Sequence, residues 1–302
     1  MEKNQQIKFA DLKPVEIAEN ERVKNQFVKL LTTIHHMPEA DAETVYERES
    51  MYYKKAITES AKLQGCDNIS LYSAFLEIAI TGLSIQPGGK SEAFLESRSV
   101  KSGKKDPETK KDIYINNARL VISAYGELNM RIRSGQIVRM SNPIVLYDGD
   151  HFQPHTTPRG ELTIDYRPAI PRKSNTIIGC YVCITLPNNG IDFKWLLNDD
   201  IERLKKYSAK ANKKWDDEKR CYVEGDPSAL YSGNTGQIDP GFLEAKTIKH
   251  AMRSYTKLRV SDSVSFEDDI PTVEVEDTFA EPAASAQEQP GTVTINDNSD
   301  IF

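Results

Sequence analysis

The sequence predicts an α+β fold: helices, then an antiparallel sheet with a protruding β-hairpin, then helices again. Three observations carry this. Apolar residues recur every three or four positions from Glu21 to about Gly82. From Ala93 to Leu197 the pattern changes to short alternating runs separated by polar turns. The last 41 residues, Asp262–Phe302, hold eleven acids and no Lys or Arg, and follow neither period.

Taken in order, Glu21–His36 places Val23, Phe27, Leu30, Leu31 and Ile34 on one helical face, and Ala42–Leu63 repeats the spacing behind Asp41 as cap. A third helix, Leu71–Gly82, follows Ser70 and is apolar on nearly every side, which makes it central. Ala93–Val100 and Ile113–Ile122 read as a hairpin. A short helix, Ala124–Arg133, stops at Gly135. Strands follow at Ile137–Leu146, Leu162–Tyr166, Ile177–Leu186 and Ile191–Leu197. Asn198 caps a helix to Ser208, and a polar loop, Ala209–Pro240, leads into a last helix, Gly241–Leu258.

The 302 residues carry a net charge of −6. Without the acidic tail, 39 Lys and Arg face 34 Asp and Glu, so the body is +5. The tail is too polar to offset its ordering entropy by burial and is expected to be disordered. Three regions follow: an N-terminal helical segment over 1–40, a candidate for self-association, a core over 41–261, and the acidic tail over 262–302. No apolar run is long enough to span a bilayer, and Met1–Lys8 lacks a signal-peptide core. Four cysteines do not make a disulfide scaffold, so a cytoplasmic protein is expected.

Several motifs invite chemistry and fail on context. Gln86–Ser91 ends like a phosphate-binding loop, but position 84 is Ser and the segment leaves a helix for a strand. Cys180 and Cys183 have a metal-pair spacing, yet an odd separation in a strand sends them to opposite faces, and Cys180 falls among apolar residues. The adjacent His35 and His36 face different ways on a helix. Asp148-Gly-Asp150 is the one tight acidic pair a nuclease could use, and such a triplet is commonly only a turn. No nucleophile–base set is visible, and a non-enzyme is expected.

The remaining signal is basic. Lys246, Lys249, Arg253 and Lys257 are three, four and four residues apart, within roughly 80° of one helix face. Charged faces are commonly just solvated, but a stripe of one sign opposite an apolar anchor points to a polyanion. The hairpin turn gathers Arg98, Lys101, Lys104, Lys105, Lys110 and Lys111, with Arg119 in the return strand. A third cluster holds Arg203, Lys205, Lys206, Lys210, Lys213 and Lys214, with Tyr207 and Trp215 interleaved for stacking. Tyr207 shares a face with Ile201 and Leu204 and could equally be core. Arg131, Arg133 and Arg139 form a weaker group. None of these specifies base readout; they predict salt-sensitive backbone binding.

Consecutive blocks then resemble the phage RecT family. They are Gly82-Leu83 with Gln86-Pro87, the tip Lys101–Lys105, Leu120–Gly126, Arg133–Ile137, Gly149–Phe152 and Lys249–Arg253, over about Ala42–Leu258. The resemblance implies ATP-independent annealing of single-stranded DNA in recombination, by oligomeric rings or filaments working beside a phage exonuclease. It implies a DNA groove using Lys101, Lys104, Lys105, Arg133, Lys249, Arg253 and Lys257. No cofactor is expected to be required, with Mg²⁺ at most modulating DNA binding. The terminal Asp300, Ile301 and Phe302 resemble the acidic tip of bacterial single-stranded DNA-binding proteins, which makes them candidates for contact with a host partner. The alternative is a passive nucleic-acid-binding phage protein without annealing activity.

Overall fold

A computed structural model describes residues 12–256 apart from 217, 234 and 235, together with 258 and 265–266. A short 3-10 turn (Pro14–Glu19) leads into α1 (Glu21–Ile34), α2 (Glu39–Glu59), the single turn α3 (Ala61–Gln64) and α4 (Asn68–Thr81). The spacing of Val23, Phe27 and Leu31 lays one buried stripe along α1. Phe27 stacks on Phe75 of α4 with ring centroids 4.9 Å apart, and Tyr53 of α2 meets the same ring at 4.9 Å. Helices on both sides of the boundary expected after residue 40 therefore share one core. Deletion through Pro38 would strip Phe27 and Leu31 from it rather than remove a separable arm.

The central position expected for α4 is observed: Leu71, Phe75, Ile78 and Ala79 are buried between α1 and the first sheet. Its cap is Asp67, whose carboxylate accepts from the Ser70 amide at 3.0 Å. The Ser70 hydroxyl, expected to cap the helix, accepts from Ala118 N at 2.9 Å and ties helix to sheet. Helix α2 likewise starts at Glu39, behind Pro38, ahead of the expected Asp41 cap.

That sheet is a long hairpin, β1 (Ala93–Lys105) against β2 (Asp112–Ile122), in register from Ala93 opposite Ile122 to Lys101 opposite Tyr114. Its root, Ala118 to Ile122, is largely buried, while Ile113 to Asn116 and the turn are mostly exposed, so the ribbon protrudes. The two-residue strand β11 (Ser265–Phe266) runs parallel to Val121–Ile122. The rest of the tail expected to be disordered lies outside the described residues.

The second sheet centres on β7 (Ile177–Thr185), with β8 (Ile191–Leu197) on one side and β3 (Arg139–Met140) then β4 (Ile144–Tyr147) on the other. The single strand expected over Ile137–Leu146 is thus two, interrupted before Pro143, which has no N–H to give a ladder. The strand expected at Leu162–Tyr166 is observed as β6 (Leu162–Arg167), and it pairs with a strand unread in the sequence, β5 (His151–Thr156); together they set Phe152 and Tyr166 on Tyr181, 5.3 and 5.5 Å between centroids. On the opposite face Val182 and Ile184 pack against Ile248, Ala251 and Met252 of α7 (Pro240–Met252). Helix α5 (Ala124–Arg133) lies against α7, and α6 (Asn198–Ala211) follows β8. The expected loop 209–240 contains a small ribbon, β9 (Lys214–Asp216) and β10 (Cys221–Val223). Among the described residues no helix is long and apolar enough to cross a membrane.

Two glycines of the resembling blocks stand at close approaches. Gly82 ends α4 at φ +62°, and a β-carbon there would meet the Arg133 guanidinium, which donates to the carbonyls of Thr81 (2.9 Å) and Gly82 (3.1 Å). Gly126 lies so close to the residue before β1 that a β-carbon there would collide with the Glu92 carbonyl oxygen. The segment between them is held by buried Glu49, which accepts from Ser84 Oγ at 2.7 Å and Ile85 N at 2.9 Å.

Candidate nucleic-acid interface

The hairpin root, α6 and α7 enclose a cleft of about 690 Å³. Phe94 and Glu96 come from β1, Arg203, Tyr207 and Ser208 from α6, and Lys246, His250 and Arg253 from α7 and the turn after it. Each is delivered by a simple rule. The α6 residues project from the face beside Leu204, one helical turn apart, after Asp200 has closed the N-terminus by accepting from Leu197 N at 3.2 Å. The α7 residues follow an N-cap at Asp239, which accepts from Phe242 N at 2.8 Å.

Arg203, Tyr207, Lys246 and Arg253, drawn from two sequence clusters, thus share one cleft. Tyr207 is 60% exposed, so its ring is not core. Lys246 lies 5.2 Å from the Phe242 ring, and Arg203 reaches Asp200 at 2.7 Å. Three cations against Glu96 in a concave wall with aromatic faces suit phosphates with bases beside them. Lys206 and Lys210 are exposed and Lys205 half-buried on the same helix.

Other candidates lie apart from this cleft. Lys101, Lys104, Lys105, Lys110 and Lys111 are exposed toward the hairpin tip, from about 17 Å (Lys101) to about 30 Å (Lys105) along β1 from Glu96 by strand rise. There Lys101 pairs with Asp112 at 3.0 Å, and Asp106 accepts from the Glu108 and Thr109 amides, which holds its carboxyl below the usual range. Arg119 is half-buried opposite Glu96 in the hairpin ladder.

Two expectations are corrected. Lys249 is not on a solvated stripe with Lys246 and Arg253, and Arg131 of the weaker basic group is not on the surface either: they are 4% and 3% exposed. Both are bound to Glu127, which accepts from Lys249 Nζ at 2.9 Å and from Arg131 Nε at 3.1 Å. The reason is that α7 is covered on two sides, by the sheet and by α5, and Lys249 falls on the α5 side. Arg133, though exposed as a residue, spends its guanidinium on the end of α4. Lys257, Asp300, Ile301 and Phe302 lie outside the described residues.

The declined motifs have ordinary explanations. Cys180 is fully buried, and burial pushes its thiol up to about 12. Asp150 accepts from the amides of Tyr147 (3.0 Å) and Ala169 (2.8 Å), so the acidic pair builds a turn. His35 Nε2 sits 2.9 Å from the Ala79 carbonyl at the end of α4.

Phe94 and His250 were not singled out in the sequence. His250 stood inside the Lys249–Arg253 block and was readable; Phe94 joins α6 and α7 only through the tertiary fold. Burial holds the His250 imidazole below its ordinary pKa, opposed by Asp200 and reinforced by Arg253, Arg203 and Lys194. It is therefore largely neutral at pH 7 and takes up its proton at a more acidic pH than a free imidazole does. Single-strand affinity at constant salt is expected to rise several-fold from about pH 7 to about pH 5, and His250→Gln to flatten that rise. Equal pH profiles for the two proteins would take His250 out of the interface.

No curated protein matches the chain significantly. A family model described as the RecT family matches residues 47–220, from α2 through the hairpin, the central sheet and α6 into the small ribbon. With more than half of the chain matched, the chain belongs to the RecT family, the single-strand annealing proteins of phage recombination.

Proposed function

We propose that this protein binds single-stranded DNA by its phosphates in the cleft of α6, α7 and the hairpin root, and anneals it to a complementary strand without ATP. The observation that carries the reading is the convergence of Arg203, Lys246 and Arg253 with Tyr207 and Phe94 in one concavity. Two free strands repel each other; cations along one of them offset the charge the second brings. One protomer touches few nucleotides, so a row of protomers in a filament or ring multiplies effective concentration. The exposed lysines of the hairpin tip would reach a neighbouring stretch of backbone. In this reading the protein needs no cofactor, Mg²⁺ only modulates binding, catalysis is absent, and a phage exonuclease supplies the single strands in the cytoplasm. Asp300, Ile301 and Phe302 would serve a host partner.

The test is fluorescence-quench annealing of two complementary oligonucleotides without ATP. Rapid pairing over the spontaneous rate is the expected result. Binding with no acceleration would make the protein a passive binder, and loss of input DNA on adding Mg²⁺ would make it a nuclease.

A further inference from the structure

The ribbon β9–β10 presents two aromatic rings that the fold does not use. Trp215 and Tyr222 stand directly opposite each other in the antiparallel pair, with ring centroids 5.2 Å apart at 74°. They are 52% and 54% exposed. Large aromatics are normally spent on burial, and a pair held edge to face on a surface ribbon is the form of a stacking platform.

The ribbon is fixed to the cleft. Ala209 O accepts from Gly225 N at 3.1 Å, Asn212 Nδ2 donates to the Asp226 carbonyl at 3.0 Å, and Ser208 Oγ accepts from Ser228 N at 2.9 Å. Ser208 and Ser228 both line the cleft, so the returning chain is part of its wall. Four residues of helix and four of strand separate Tyr207 from Trp215, a path of at most about 20 Å. Lys213, Lys214, Lys219 and Arg220 are exposed beside the rings. Lys214 lies 3.5 Å from Asp226 and Lys219 3.7 Å from Asp216, surface pairs weak enough for a phosphate to displace.

We infer that Trp215 and Tyr222 form a base-stacking site that takes unpaired nucleobases from a strand leaving the cleft past Tyr207. The inference rests on the proposed single-strand binding and adds to it a discrimination between states of DNA. An unpaired base offers a free π-face to a ring, whereas a base inside a duplex is already stacked on its neighbours. The platform therefore holds the strand before pairing and releases it after. That gives annealing a direction the cationic cleft alone does not supply, since phosphates are present in both states.

The chain has two tryptophans, so Trp195→Phe leaves Trp215 as the sole indole reporter. Titrating that full-length variant with an oligothymidylate strand is expected to quench Trp215, and an equal length of duplex is expected to leave it nearly unchanged. Trp215→Ala and Tyr222→Ala should each weaken single-strand binding roughly tenfold or more, with the salt slope unchanged and duplex binding unaltered. Trp215→Phe, which keeps a ring, should recover most of the affinity, and a melting temperature equal to the parent's excludes misfolding. An unquenched Trp215 with unaltered affinity, in a protein that still binds the strand, overturns the platform and leaves the cleft standing. Quenching that follows protein concentration without DNA shows that a second copy covers the rings, and also overturns it. Absence of any single-strand binding would remove the proposed function itself.

Discussion

Glu127→Ala will destabilise the protein by about 3–5 kcal/mol, a large share of what holds a domain folded. The Glu127 carboxylate is buried and serves two cations at once, Lys249 Nζ through one oxygen and the Arg131 guanidinium through the other. Arg131 spends its remaining donors on Gln136 Oε1 at 2.6 Å and the Thr256 carbonyl at 2.8 Å, so the group fixes α5, α7 and the chain beyond α7 together. Removing the acid leaves two like charges facing each other out of water. Lys249→Met is the informative contrast. It leaves a balanced Glu127–Arg131 pair and a side chain of similar volume, and should cost less than about 1.5 kcal/mol. Urea midpoints for the two variants decide it, and a Glu127→Ala midpoint equal to the parent's would show that the triad is not holding the helices.

The contrast also guards the functional reading. Lost annealing in a Lys249→Ala variant would look like lost DNA contact, yet in this fold it reports the α5–α7 seam. Only residues with solvent-facing charge, such as Arg203 and Arg253, can separate binding from folding.

What was legible in the sequence was local. The stripe of α1, the all-apolar α4 and the alternation that buries Cys180 follow from single elements meeting single neighbours. Lys249 misled because a helical wheel allows for one covered face, whereas α7 has two, and its partner Glu127 stands 122 residues away. The strand β5 hid behind Pro154 and two histidines, tolerated because among the described residues it pairs only with β6. The cleft combines β1 with α6 and α7, more than 100 residues apart, so its cations could be nominated separately but not grouped. The family blocks reached further than periodicity because they mark close approaches: Gly82 meets Arg133, and Gly126 meets the Glu92 carbonyl.

Changing Arg203, Lys246 and Arg253 together to Ala is expected to weaken single-strand binding by about two to three orders of magnitude at low salt. Each phosphate contact on a single strand contributes about 0.7 to the slope of log affinity against log salt, so losing three should flatten that slope by about two units. The two readouts separate mechanisms. A fall in affinity with an unchanged slope would mean that packing or stacking was lost, while a flattened slope shows that counterion release has gone. Lys104, Lys105 and Lys111 changed together to Ala form the matched control, since they carry the same charge on the exposed hairpin tip. If the protein works as one cleft with an accessory arm, the tip variant loses less affinity on a single protomer's length of DNA. It should close the gap only on strands long enough to reach a neighbour. A tip variant that suffers the larger loss on short strands would move the primary site from the cleft to the hairpin, and the roles of Tyr207 and Phe94 beside a strand would fall with it.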